Sequence, residues 1–324
     1  EIERYILSEE EIPLRPVKGE VGRVVVESNA YRDYIDHLKN TINKDFSGLK
    51  IAVDCGNGAV FKIAPELLKE LGADVVVIND KPNGVNINVD CGSTNPSMVQ
   101  SLVLESKADI GLSFDGDADR LIAADEKGNI IDGDHILAIC GTYLYENKKL
   151  KNNTVVGTIM TNIGLDIYLK DKGINIVKTA VGDRYVLEEM LANGYVLGGE
   201  QSGHIIFLEH CTTGDGLATS LQLINVMKET GKKASELNSL MTSFPQVLEN
   251  ARVKKELKNS YMEDEVIKAE IEKVENVLQG EGRVVIRPSG TEPLVRVMIE
   301  GKDMEKIERL AKELADLIEK RLGN

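Results

Sequence analysis

Short apolar runs alternate with stretches whose apolar residues recur at helical spacing along most of the chain. The run LKIAVDC predicts a strand that leads through the turn Cys55-Gly56-Asn57-Gly58-Ala59 into an amphipathic helix, FKIAPELLKELG. Strand ADVVVIND, a polar loop, helix NPSMVQSLVLESK and strand ADIGLSFD follow, and YRDYIDHLKNTI upstream has a helical pattern. Strand and helix in alternation predict a layered α/β domain with a mixed, largely parallel sheet.

A second unit begins near Lys151 and reads strand (TVVGTIM), helix (NIGLDIYLKDKG), strand (NIVKTA), helix (RYVLEEMLANG) and strand (YVLGGE). A loop and the helix GLATSLQLINVMKETG complete it. Its element order and length match the first unit, so duplicated α/β domains are expected without a clean sequence repeat. A linker and boundary are expected near Phe244–Ala251, where Pro245 follows a helix. Beyond it come a charged helix (SYMEDEVIKAEIEKVENVLQ), strands GRVVIRPS and LVRVMIEG, and a last helix from Met304 to Leu322, a small α+β domain on an antiparallel pair. The expected division is a leading segment or linker at 1–20 with Pro13 and Pro16, α/β domains at 21–148 and 149–246, and an α+β domain at 247–324.

Composition narrows the function. At 324 residues the chain has room for two or three cores. A net charge of −14 argues against non-specific binding of nucleic acid or anionic membrane, so an anionic substrate needs a local basic spot. No Trp and 4% aromatic residues weaken any scheme built on base stacking or aromatic sugar platforms. Cys55, Cys91, Cys140 and Cys211 lie far apart without a CxxC pair, which points to a reducing cytoplasm rather than disulfides or zinc. No apolar run approaches a membrane span, and the start lacks a signal-peptide pattern. The first residue is Glu1 rather than Met, as expected of a fragment, a processed product or a trimmed form.

Three loops carry candidate chemistry. Asp115-Gly-Asp117-Ala-Asp119-Arg120 follows an apolar strand, and three carboxylates at alternating positions can converge on a hard cation, Mg²⁺ or Ca²⁺, with Arg120 beside them for a phosphoryl group. An EF-hand is disfavoured, because Arg120 stands where the turn needs glycine and the flanks read as strands. An exposed acidic turn or a phosphatase of the DxD nucleophile type stays open. Gly198-Gly199-Glu200-Gln201-Ser202-Gly203-His204 offers a mixed set of donors and acceptors suited to sugar hydroxyls, or a polar turn satisfying its own backbone. Arg287-Pro288-Ser289-Gly290-Thr291-Glu292-Pro293, with Arg296, has the composition of a phosphate cradle, or of a hairpin with exposed arginines. Gly182-Asp183-Arg184 opens a helix, where N–H groups and an arginine can face an anion, or where Asp183 is only a cap. The Gly56-Asn57-Gly58 turn lacks a third glycine and reads as a plain strand-to-helix turn, and Cys91-Gly92-Ser93-Thr94 reads as the cap of the next helix.

Taken in order, FDGDADR, GEQSGH and RPSGTEP resemble the α-D-phosphohexomutase superfamily, with support from DCGNGA, GVNIN, CGSTNP and VGDR. The resemblance covers essentially the whole chain. It implies that Asp115, Asp117 and Asp119 hold Mg²⁺, with Arg120 beside the reacting phosphoryl group. Gly182, Asp183, Arg184, Glu200, Ser202 and His204 would lie at the substrate, and Arg287, Ser289, Gly290, Thr291 and Arg296 would clamp the non-reacting phosphate. Superfamily members have three related α/β domains and a small α+β domain around a cleft, and the units here correspond to the second, third and fourth. Gln201 in GEQSGH, with GEGRVVIRPSGTEPLVRVMIEG, is similar to the branch acting on hexosamine phosphates. The activity implied is interconversion of glucosamine 6-phosphate and glucosamine 1-phosphate through a bisphosphate and a phosphoserine. That serine belongs to a Ser-His-Asn-Pro type loop, which does not occur in these 324 residues, so the chain alone is expected to bind metal and phosphosugar without turnover. Competing readings are a phosphoglucomutase or phosphomannomutase, a non-catalytic phosphosugar-binding protein, and a metal-dependent sugar-phosphate phosphatase using Asp115.

Overall fold

The computed structural model describes residues 2–7, 16–278, 280–289 and 292–323. Helix α1 (Ile2–Leu7) leads, residues 16–29 are exposed, and α2 (Ala30–Lys39) starts the packed structure. The first sheet is centred on β1 (Lys50–Asp54), buried from Ile51 to Asp54. It pairs in parallel with β2 (Asp74–Ile78) and β3 (Ile110–Phe114), and α3 (Ile63–Glu70) and α4 (Ser97–Ser106) provide the connections. Here the chain reverses: β4 (Leu121–Asp125) and β5 (Ile130–Ile131) add antiparallel, giving the order β2-β1-β3-β4-β5. A parallel neighbour would need a long crossover, and the loop 115–120 allows only a hairpin. The sheet is therefore mixed, with its parallel part limited to three strands.

The second sheet repeats this plan. β6 (Thr154–Thr158) pairs in parallel with β7 (Asn175–Thr179) and β8 (Leu197–Gly199), and β9 (Ile205–Phe207) adds antiparallel in the order β7-β6-β8-β9. Helices α6 (Ile163–Lys172) and α7 (Asp183–Asn193) connect its strands. Strand β9 lies where a loop was expected. Helix α5 (Gly133–Glu146) was also not anticipated: Ile136 through Thr142 are all buried, so no polar face marks its period. It packs on α6, β8 and α8 (Gly216–Thr230), placing it with the second sheet rather than in the 21–148 unit. The short α9 (Ala234–Asn238) follows. One continuous apolar core, from Ile35 to Met241, runs beneath both sheets.

The C-terminal unit has a separate core, built by Val295, Val297 and Ile299 against Ile307, Leu314 and Ile318. Its elements are β10 (Gln246–Arg252), α10 (Glu265–Leu278), β11 (Gly282–Pro288), β12 (Leu294–Gly301) and α11 (Met304–Leu322). The antiparallel order is β10-β12-β11. The linker expected at Phe244–Ala251 is thus mostly strand, paired from Gln246↔Glu300 to Arg252↔Leu294. QVLENAR lacks a clear apolar alternation, and its pairing is supplied by β12. Full burial of each large aliphatic side chain of α11 stabilises the unit by ~1.5–3 kcal/mol relative to exposure. Among the described residues no helix is long and apolar enough to cross a membrane.

Candidate functional site

All three candidate loops are hairpin loops, and the first two occupy the same place in the two repeated sheets. Loop 115–120 joins β3 to β4 and loop 200–204 joins β8 to β9, each just past the carboxyl end of a parallel strand. That end of an open α/β sheet is the usual place for a ligand crevice.

Asp115 is buried at the end of β3, and Ala118 bends the loop sharply at φ 64°. Left-handed backbone at a residue other than glycine costs roughly 1–2 kcal/mol. The bend brings one carboxylate oxygen each of Asp115, Asp117 and Asp119 within 4.8 Å of one another. Burial, then the charge of Asp119, pushes the Asp115 carboxyl up to about 6. The Arg120 N–H donates to Asp115 Oδ1 at 3.2 Å, while its Nε stands 3.8 Å from Asp115 Oδ2 and 3.7 Å from Asp119 Oδ1. Asp119 Oδ1 is buried without a hydrogen-bond partner. Converging, under-compensated carboxylates of this kind fit a hard divalent cation with oxygen ligands.

The 200–204 loop is stitched to this one. Leu121 N donates to Gly203 O at 3.0 Å, and Arg120 and His204 form an antiparallel bridge. Gly203 sits at φ 96°, and a Cβ there would lie 2.2 Å from Leu121 O, so only glycine allows the approach. The buried His204 ring places Nε2 3.7 Å from Asp119 Oδ2 and 3.9 Å from Asp183 Oδ2. Glu200 Oε1 accepts from Gly182 N at 3.0 Å, tying the start of α7 to the same loop. Asp183 is not a cap: Gly182 holds that position, no side chain caps the helix, and Asp183 turns toward His204. Arg184 is exposed and pairs with Glu188 at 2.7 Å, and Ser202 lies exposed at the loop tip. Gln201 turns away, reaching Asp132 Oδ2 at 3.4 Å, while its carbonyl accepts from Gly133 N at 3.0 Å.

Residues that the sequence reading passed over hold this arrangement. Asp215 caps α8 through Ala218 N at 2.8 Å and accepts from the Tyr34 hydroxyl at 2.8 Å. Burial, then Asp215, raises the Tyr34 hydroxyl well above its ordinary value. Gly214 lies against the imidazole, where a Cβ would come 2.3 Å from His204 Nε2. Asp and Gly just ahead of a predicted helix were the available signal. The Cys55–Ala59 turn, expected to be merely structural, buttresses the acidic loop through Ala59 N to Gly116 O at 2.8 Å. Cys91–Thr94 is a loop buried at Cys91 and Gly92 rather than a helix cap: Gly92 N donates to Asp54 Oδ2 at 2.9 Å and Ser93 N to Phe114 O at 3.0 Å. Pro96 takes the cap position of α4.

The third loop belongs to the C-terminal sheet. Arg287 lies directly across from Arg296, and burial, then the Arg296 charge, lowers the Arg287 guanidinium from its ordinary value. Ser289 is buried; its carbonyl accepts from Lys258 Nζ at 2.7 Å and its hydroxyl from Glu292 N at 3.2 Å. Arg296 Nη2 stands 3.5 Å from Glu292 Oε2, and its Nε is buried without a partner. Gly290 and Thr291 lie outside the described residues. Two like charges held together in this way could be offset by an anion.

Comparison with known proteins finds relatives that match the whole chain. Residues 32–128 match the description phosphoglucomutase/phosphomannomutase, alpha/beta/alpha domain II, residues 132–244 match alpha/beta/alpha domain III, and residues 223–317 match the C-terminal domain. A phosphoglucosamine mutase from Alkaliphilus oremlandii is 60% identical over 323 residues, 100% of this chain and 72% of that protein. One from Clostridioides difficile is 55% identical over 322 residues, 99% of this chain and 72% of that protein. Among solved structures, Aspergillus fumigatus N-acetylphosphoglucosamine mutase in complex with GlcNAc-6P and magnesium shares the fold with a TM-score of 0.75 at 21% identity. That match covers 90% of this chain and 65% of the other. With this identity to its relatives and with domains II, III and C-terminal matched in order, the chain belongs to the phosphoglucomutase/phosphomannomutase family.

Proposed function

We propose that the chain carries the metal, sugar and phosphate sites of a phosphosugar mutase acting in the cytoplasm on glucosamine 6-phosphate and glucosamine 1-phosphate. The observation that carries this reading is the stitching of two hairpin loops, which puts Arg120 and His204 beside the three converging aspartates. Asp115, Asp117 and Asp119 would hold Mg²⁺, which when bound offsets charge on phosphoryl oxygens. Arg120, partly exposed and held only loosely by Asp115 and Asp119, is available to a phosphoryl oxygen. Glu200, Ser202 and His204, with Gly182, Asp183 and Arg184 at the start of α7, form the surface for sugar hydroxyls. Arg287 and Arg296, with Ser289, Gly290 and Thr291, would clamp the phosphate that is not reacting, and such remote binding orients the reacting end.

Transfer from a phosphoserine to the free hydroxyl, and return of the other phosphate from the bisphosphate, needs a serine loop that these residues do not contain. The chain by itself would therefore bind Mg²⁺ and phosphosugar without turnover. Relatives named phosphoglucosamine mutase support the amino sugar as substrate. Calorimetry on the chain tests the sites: Asp117→Asn should lose Mg²⁺ binding, and Arg296→Gln should lose phosphosugar binding while keeping the metal. Turnover is tested by adding the part of the Alkaliphilus oremlandii relative that this chain does not cover, and offering glucosamine, glucose and mannose 6-phosphates side by side. Release of inorganic phosphate by the chain alone, abolished by Asp115→Asn, would replace the mutase with a phosphatase.

A further inference from the structure

Strands β11 and β12 pair in a register that sets Arg287 opposite Arg296 and Arg283 opposite Glu300. Side chains alternate along a strand, so all four lie on one face of the ribbon, while Val295, Val297 and Ile299 fill the core on the other. The two pairs are separated by roughly 13 Å at ~3.3 Å per residue. One pair forms the proposed phosphate cradle.

The other pair leaves its own unit. Arg283 Nε meets Glu300 Oε2 on a carboxylate with 0% exposure, and Arg283 Nη2 donates to Thr161 O, just ahead of α6. Glu300 Oε2 also accepts from Ile163 N, the first residue of α6, at 3.2 Å. Between these contacts sits a second fastening. Asn162 Nδ2 donates to Phe244 O at 3.0 Å, Phe244 N donates to Asn162 Oδ1 at 3.0 Å, and Asn162 N donates to Asp134 Oδ2 at 2.8 Å. Phe244 is where the chain enters the C-terminal unit. A tie at that point alone leaves a pivot, and a second tie on another strand fixes the angle. A buried ion pair contributes little net stability, because desolvation offsets its attraction. What this pair does contribute is orientation.

We propose that Arg283 and Glu300 are positioning residues: by docking one end of the β11–β12 ribbon on the start of α6, they hold Arg287 and Arg296 at a set place relative to the acidic loop. The consequence for ligands rests on the phosphosugar reading above. A sugar carrying two phosphates must reach the cradle and the acidic loop together, so it requires that setting, whereas inorganic phosphate in the cradle does not.

The first measurement is independent of any sugar. Spin labels on Lys170→Cys and Glu272→Cys, both exposed positions on α6 and α10, report the angle between the units in a chain carrying Cys211→Ser. Arg283→Met should broaden the distance distribution, and Arg283→Lys, which keeps the charge but loses the second nitrogen reaching Thr161, should broaden it less. Glu300→Gln keeps the shape and is read in the same way should Arg283→Met fail to fold. The second measurement is binding: Arg283→Met should keep the affinity for inorganic phosphate and lose about tenfold or more for glucosamine 1,6-bisphosphate with Mg²⁺, as reduced effective concentration of the second contact dictates. An unchanged distance distribution in the folded variants overturns the positioning role. If the unaltered chain binds bisphosphate no better than inorganic phosphate while the variants still broaden, the positioning role is supported and the phosphosugar reading falls.

Discussion

Arg287→Gln should make the ligand-free chain more stable and greatly reduce its response to phosphate. The two guanidinium groups project from directly opposed residues of an antiparallel pair, where Cβ atoms stand ~5 Å apart. Taking ~6 Å between charges and an effective dielectric constant of about 40, their repulsion is about 1.4 kcal/mol. Salt screening and the lost packing of the arginine stem reduce the expected gain to about 1 kcal/mol. In a unit of this size that corresponds to a Tm about 4–8 °C higher. Phosphate reverses the order. At a concentration of about 100 times Kd it should stabilise the unaltered chain by about 2.7 kcal/mol, and the variant by far less. Thermal melts in phosphate-free buffer and in phosphate, at matched ionic strength, should therefore cross. A variant that melts lower than the unaltered chain without phosphate, and gains as much from phosphate, would refute the claim that these arginines form a strained anion cradle.

Three other substitutions test separate parts of the site. Asp119→Asn removes one converging carboxylate, so the metal-free chain should melt higher while Mg²⁺ no longer raises its Tm, as melts with EDTA and with Mg²⁺ would show. Gly214→Ala would put a Cβ 2.3, 2.4 and 2.5 Å from three atoms of the buried His204 ring. Overpacking of this kind costs ~1–3 kcal/mol and should lower the urea midpoint without changing the slope. Burial, then the Asp132 charge, raises the Asp134 carboxyl well above its ordinary value. A folded-state value above the unfolded one means that stability falls as pH rises from ~4 through the folded value. Asp134→Asn, which still accepts from Asn162 N, should be more stable than the unaltered chain at pH 8 and converge with it near pH 4 in urea titrations. Equal pH dependence in both would remove Asp134 as its source.

The candidate loops were legible because their residues are local. Asp115, Asp117 and Asp119 alternate after an apolar strand, and Arg287 and Arg296 flank a Ser-Gly-Thr turn, so donor type and spacing are contained in a few consecutive residues. Most strands and helices were legible for the same reason: a half-buried element shows its period. Where burial was complete, as along Ile136–Thr142 of α5, the period vanished and the helix was missed. Strand β10 was read as a linker because its pairing comes from β12, which lies beyond it in the chain. For Asp183 the sequence left a cap and a ligand contact equally open, because the cap position is defined by backbone geometry, and here Gly182 has that place.

By itself the sequence determined which three loops concentrate carboxylates, mixed polar groups and arginines, and that two α/β units precede a smaller one. Only the tertiary structure decided that Arg120 bridges to His204, that Gly214 lies against the imidazole, that Asp215 accepts from Tyr34, and that Glu300 reaches Ile163. Periodicity records which face of an element is buried, but not what buries it. Contacts between residues far apart in the chain depend on how whole sheets pack and on where glycine lets two backbones meet.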